Sequence, residues 1–191
     1  MMPDTADTKV APRFDRTAAA ILDAAAQVFS EQGTAANLAD VAAAAGVSRA
    51  TLYRYYPNRE ALLKALAAYA LTELANHLND AGLERATVKE AIERLARALV
   101  AVGDRYSVVA SGQCSPDEAD AERLVRAPMR AVFERGIASG ALRQDLTADV
   151  LLELFGGTLS AAFKLTRNRQ LGAEEASAAA AAVFLDGARA R

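Results

Sequence analysis

The stretch GVSRATLYRYYPNREALL, residues 46–63, gathers three arginines and three tyrosines around one short segment that ends at a proline. Guanidinium and phenol groups are donors, and a helix face that carries several of them suits a polyanion. An arginine can take a guanine edge or a phosphate, and a tyrosine hydroxyl can bond a phosphate oxygen. Between Gly46 and Lys64 the basic residues Arg49, Arg54, Arg59 and Lys64 face only Glu60, so the segment is locally basic. The whole chain is not: 22 Lys and Arg stand against 24 Asp and Glu. That balance argues against coating nucleic acid by bulk charge and leaves a local patch as the means of contact.

Other chemistries find little support. GVSRA is a near miss to the G-x-S-x-G nucleophile elbow, but that elbow follows a strand and this one follows a helical segment. A triad would have to use His77, the only histidine. The sequence has no phosphate-binding loop, no dinucleotide glycine fingerprint and no H-E-x-x-H. No catalytic residue, metal ligand or cofactor is expected, and the chain does not read as an enzyme. Cys114 is the only cysteine, which excludes an internal disulfide framework and a multi-cysteine zinc site and fits a reducing cytoplasm. It lies in the loop SGQCSPDE, where a nearby helix N-terminus would favour its thiolate. No apolar run approaches the roughly 20 residues of a membrane span. Residues 1–13 are polar with no apolar signal region, and read as a disordered lead-in.

The elements that must position the basic segment are helices. Strand signals are nearly absent and helix punctuation is plentiful, so the expected fold is all-α with about nine helices. Ile21, Leu22, Ala25, Val28 and Phe29 form one apolar face, stopped at Gly33. Asn37 caps a short helix that ends at Gly46; Ser48 caps the next, which Pro57 closes. Asn58 opens a long helix with the stripe Leu63, Leu66, Ala70, Leu74, Leu78. Thr87 with Glu90, and Ser115 with Glu118, read as capping boxes, the second with Pro116 at the first helical position. Pro128 is expected to break that helix, and Thr147 to start another. Helices before residue 58 are short and those after it long, which suggests a unit over 14–57 and a second lobe over 58–191.

Within 37–57 the requirements of a helix-turn-helix are met. Val41, Ala42 and Ala45 serve the first helix, Gly46 the turn, and Val47 and Leu52 the packing beneath the second. At 100° per residue, with Leu52 inward, Tyr56 lies about 40° away and also faces the core. Ala50, Thr51 and Arg54 then point outward, with Arg49, Tyr53 and Tyr55 on the flanks. Arg59 adds charge at the start of the next helix, and the helix N-terminus near Asn37 offers N–H groups to a phosphate.

LADVAAAAGVSRATLYRYYPNREALL resembles the amino-terminal signature of TetR-type transcriptional repressors: a Gly-Val-Ser turn, a Leu-Tyr-x-(Tyr/His)-Phe helix end and a Lys-Glu-x-Leu helix start. The resemblance is strong over roughly residues 14–66 and general beyond. The sequence departs from it at Tyr56, where phenylalanine is usual, at Arg59, where lysine is usual, and at Asn37, where threonine or serine often caps. The resemblance implies phosphate contacts from Asn37, Ser48, Tyr53 and Arg59. It implies base or groove contacts from Arg49, Ala50, Thr51, Arg54 and Tyr55.

One recognition helix reads few base pairs, so a homodimer on a palindromic double-stranded operator is expected. VLLELFGGTLSAAF is apolar nearly all round, and ASAAAAAVFL offers small residues for close approach. The expected dimer residues are Leu151, Leu154, Phe155, Leu159, Phe163, Ala179, Val183 and Phe184. The resemblance also implies a small-molecule inducer pocket in the middle of the chain, with Leu66, Tyr69, Ala70, Leu74, His77, Leu99, Val102, Tyr106, Met129 and Phe133 as candidate lining, and release from the operator on binding. The competing reading is a helical protein–protein adaptor that uses residues 46–64 only structurally. Arg54→Ala separates the two.

Overall fold

The computed structural model describes residues 16–190, except the side chain of Thr34; the lead-in expected over 1–13 lies outside them. The described residues form nine helices and no strand, counting the continuous run 118–138 as one. In chain order these are α1 (Arg16–Gln32), α2 (Leu38–Ala44), α3 (Arg49–Tyr55), α4 (Arg59–Asp80), α5 (Val88–Arg105) and α6 (Ser107–Ala110). They continue with α7 (Glu118–Ala121, Glu122–Arg126 and Ala127–Ala138), α8 (Ala148–Arg167) and α9 (Ala173–Ala188).

The caps are where local chemistry requires them. Asn37, Ser48, Asn58 and Thr147 each accept from N–H groups of the following turn, and Thr87 with Glu90 completes a capping box. Two expectations fail in α7. Its cap is Asp117, whose carboxylate accepts from the Ala119 and Asp120 N–H groups, so Ser115 with Glu118 is not a capping box and Pro116 precedes the helix. Nor does Pro128 break it. Residues Glu122–Arg126 form a π-helical turn, and the Ala127 N–H donates to the Glu122 carbonyl five residues back. The wide turn changes the hydrogen-bond register just before the residue that has no N–H to give, and the helix continues through it.

Two apolar clusters hold the chain together. One joins α1–α3 (Ile21, Phe29, Val41, Leu52, Tyr56) to Leu62, Leu66 and Ala70 of α4, Val102 and Tyr106 of α5, and Val108 of α6. The other joins Leu71 and Leu78 of α4 and Ile92, Leu95 and Val100 of α5 to α7–α9. At its centre the rings of Phe133, Phe155 and Phe184 meet edge-on with centroids 5.1–5.7 Å apart. The two clusters meet across α4 and α5. Two close approaches are built from glycine: a methyl at Gly103 would collide with the Phe163 ring, and one at Gly136 with Leu142.

Candidate nucleic-acid interface

α2 ends in a left-handed turn. Gly46 has φ +66°, and the Gly46 and Val47 N–H groups donate to the Ala43 and Ala42 carbonyls at 3.1 and 3.0 Å. Both orphan carbonyls are satisfied by a turn that a side chain at residue 46 would strain. Ser48 then starts α3: its Oγ accepts from the Thr51 N–H at 3.1 Å and lies 2.9 Å from Thr51 Oγ1. Leu52 is fully buried and Tyr56 nearly so, which fixes the rotation of α3.

With that rotation Ser48, Arg49, Ala50, Tyr53 and Arg54 are exposed, and Thr51 and Tyr55 half-buried. Tyr53 is 49% exposed, one of the few large apolar side chains left in solvent. Neither Arg49 nor Arg54 pairs with a carboxylate among the described residues. The Arg54 guanidinium rests over the Tyr55 ring at 5.5 Å. Ala50 sits between Arg49 and Arg54 on the outer face, with half-buried Thr51 to one side, a shape that admits close approach to a groove.

Two of the expected phosphate ligands are differently engaged. Arg59 turns inward: its guanidinium stacks on Phe29 at 4.7 Å and donates to the Ala36 carbonyl, tying the start of α4 to α1. Asn37 is exposed, but its Oδ1 accepts from the Ala39 and Asp40 N–H groups at 2.8 and 3.0 Å. Its Nδ2 donates to Asp40 at 2.7 Å. The donors expected at the α2 terminus are thus largely used by the cap, and Asp40 places a carboxylate there.

Residues 21–66 match the family described as bacterial regulatory proteins, tetR family. The HTH-type transcriptional repressor LfrR of Mycolicibacterium smegmatis is 51% identical over 72 residues, which are 38% of this chain and only 35% of LfrR. The HTH-type transcriptional regulator NfxB of Pseudomonas aeruginosa is 33% identical over 126 residues, 63% of this chain and 67% of NfxB. The chain belongs to the TetR family. The likeness runs through the whole fold: LfrR, solved in complex with proflavine, superposes with a TM-score of 0.73 at 26% identity, over 91% of this chain and 97% of that one. TetR-family proteins are transcriptional regulators, not enzymes. No described helix is long and apolar enough to cross a membrane.

For a TetR-family chain the remaining surfaces of interest are α8 and α9. Four residues expected at a dimer contact are instead interior: Leu151, Phe155, Leu159 and Phe184 are buried in the protomer's own second cluster. Phe163 is half-buried against Gly103. Leu154 and Val183 are 53% and 68% exposed, Ala179 is exposed beside Val183, and Val150, not foreseen, is 43% exposed. A helix apolar all round does not announce which face its own protomer takes. Gly157, one turn from Leu154 on the same face, has nothing within 4 Å of an added methyl.

The ten residues expected around a ligand do not share one lining. Leu66, Ala70, Val102 and Tyr106 are buried in the first cluster, with Tyr69 packed against it. Met129 and Phe133 are buried in the second, with Leu99 against it; Leu74 touches both. His77 is exposed, with Nε2 3.8 Å from Glu73. Burial raises the Cys114 thiol, so its thiolate is not favoured. The sequence did not reveal what Tyr106 does: its hydroxyl donates to Glu73 at 2.6 Å, and burial first, then that bond, push its phenol far above the usual range.

Proposed function

We propose that the protein is a dimeric, sequence-specific repressor that inserts α3 of each protomer into successive major grooves of a palindromic operator and leaves it when a small molecule binds. One observation carries the reading: the outer face of α3 is turned away from the protein's own body, with Arg49 and Arg54 unpaired and Ala50 between them. Arg49, Ala50, Thr51, Arg54 and Tyr55 meet base edges and groove walls, and Ser48 and Tyr53 meet phosphates. Arg59 serves chiefly to hold α4 on α1, and Asn37 to cap α2.

The reading unit is 14–57 and the regulatory and dimerisation unit 58–191, in a cytoplasmic protein. The dimer forms through Val150, Leu154, Ala179 and Val183. Gly157 supports this contact, because a mid-helix glycine costs roughly 0.5–1 kcal/mol against alanine and nothing in the protomer requires it. Half-sites then repeat at about 34–36 Å or a multiple of it. That LfrR was solved with proflavine supports a small-molecule effector here too.

Selection of bound duplexes from a random DNA pool tests the reading. Recovered sequences should share a palindrome, and with six to ten phosphate contacts affinity should fall about 10³–10⁵-fold between 50 and 200 mM salt. A pool that never enriches would overturn it.

A further inference from the structure

The seam between the two apolar clusters crosses α4 between Ala70 and Leu71 and α5 between Val100 and Val102, with Leu74 touching both sides. A polar assembly stands at this seam. The Arg105 guanidinium donates through Nη2 to Asp23 of α1 at 2.7 Å and through Nη1 to both Glu73 oxygens of α4 at 3.1 and 3.3 Å. The same group lies over the Tyr106 ring at 5.3 Å, and the Tyr106 hydroxyl holds Glu73 from the buried side. Tyr69 packs edge-on against Tyr106 with centroids 6.3 Å apart. Among the described residues Asp23–Arg105 is the one ion pair that joins α1 to a later helix.

Its surroundings make this pair more than a decoration of the surface. A cleft of about 660 Å³ opens beside it between α1, α2 and α5, lined by Asp23, Gln27, Ala45 and Arg105. The apolar contact between α1 and α5, at Val102 and Tyr106, lies beneath the cleft, whose other lining is short: Ala20, Ala24 and Ala44. Methyl contacts elsewhere in the first cluster tolerate small rotations, whereas a planar fork bonded to two carboxylates does not. One of those carboxylates is itself fixed by a buried tyrosine, so the ordering cost that weakens isolated surface pairs is partly met already.

We propose that Asp23, Arg105 and Glu73 form a charge latch that fixes the angle of the α1–α3 unit on the rest of the protein, so that operator affinity depends on a contact outside the reading face. The latch rests on the DNA-reading function above: opening it leaves α3 unchanged and lets two readers drift from the spacing that an operator demands.

The test titrates wild type, Asp23→Asn, Arg105→Gln and the double variant against a duplex recovered by the selection. Asp23→Asn should bind about tenfold more weakly, inside the roughly 5–150-fold range of coupling between sites. Its sign is diagnostic, because the variant is one charge more positive and electrostatics alone would tighten it. The salt slope should not change, since the phosphate contacts are the same. The double variant should be no weaker than the weaker single one. Binding by Asp23→Asn as tight as wild type or tighter, an altered slope, or additive losses would each overturn the latch. Hydrogen exchange without DNA separates this from the function: α1–α3 amides should exchange several-fold faster in Asp23→Asn while α8–α9 amides stay unchanged. If wild type binds no duplex, the proposed function falls by itself, and unchanged exchange in α1–α3 then overturns the latch as well.

Discussion

Tyr53 on α3 and Leu154 on α8 are both large and both about half exposed, at 49% and 53%. Their neighbourhoods have little else in common. Around Tyr53 stand Ser48, Arg49 and Arg54, donors on a seven-residue helix whose rotation is fixed by Leu52 and Tyr56. Around Leu154 stand Val150, Gly157 and Ala161, methyls and bare backbone on a twenty-residue helix anchored by Leu151, Phe155 and Leu159. One surface can satisfy a polyanion and would gain little from an apolar partner; the other is its opposite. An exposed apolar side chain therefore says little until its neighbours are counted as donors or as methyls.

The contrast can be broken from either side, and the largest effect should come from the apolar one. Leu154→Glu with Val183→Glu should yield monomers by light scattering and reduce operator binding to its non-specific level, a loss of about 10³-fold or more. A dimer that survives both charges would move the contact elsewhere. On the polar side, Arg54→Ala should cost about 1–3 kcal/mol of operator binding with the dimer and thermal midpoint unchanged. An adaptor protein would show no such loss.

A control between the two surfaces is Tyr106→Phe, which removes a buried donor to Glu73 and should lower unfolding free energy by about 1–2 kcal/mol in urea. Its phenol is raised in the folded state. The associated stability is therefore full below the unfolded tyrosine value of about 10 and is lost as pH climbs toward the folded value. In alkaline titrations the wild type should weaken over that range, and the phenylalanine variant should weaken less. The smallest effect sharpens the comparison most. Gly157→Ala should stabilise the helix of an isolated protomer by roughly 0.5–1 kcal/mol, yet raise the dimer dissociation constant several-fold.

The placement and rotation of α3 were legible in the sequence because their determinants are local. A cap at Ser48, a left-handed glycine at residue 46 and one inward leucine at residue 52 fix α3, and each acts within a few residues. The facing of α8 was not legible, since residues 150–163 carry apolar groups on every side and periodicity has nothing to select. Arg59 and Arg105 escaped for a related reason: an arginine's reach spans elements, so its partners, Ala36 and Phe29 for one and Asp23 and Glu73 for the other, are chosen by the tertiary fold. Pro128 misled because the π turn that accommodates it lies upstream and has no residue signature of its own.

The first apolar cluster has a practical consequence for anyone wishing to graft this reader onto another protein. Leu62 and Leu66 of α4, Val102 and Tyr106 of α5 and Val108 of α6 share one apolar cluster with Ile21 and Phe29 of α1, and form the floor of that helix. A fragment cut after residue 57 would leave that floor behind and present a raw hydrophobic underside to water. The smallest piece that keeps this underside covered must carry α4 through α6 as well.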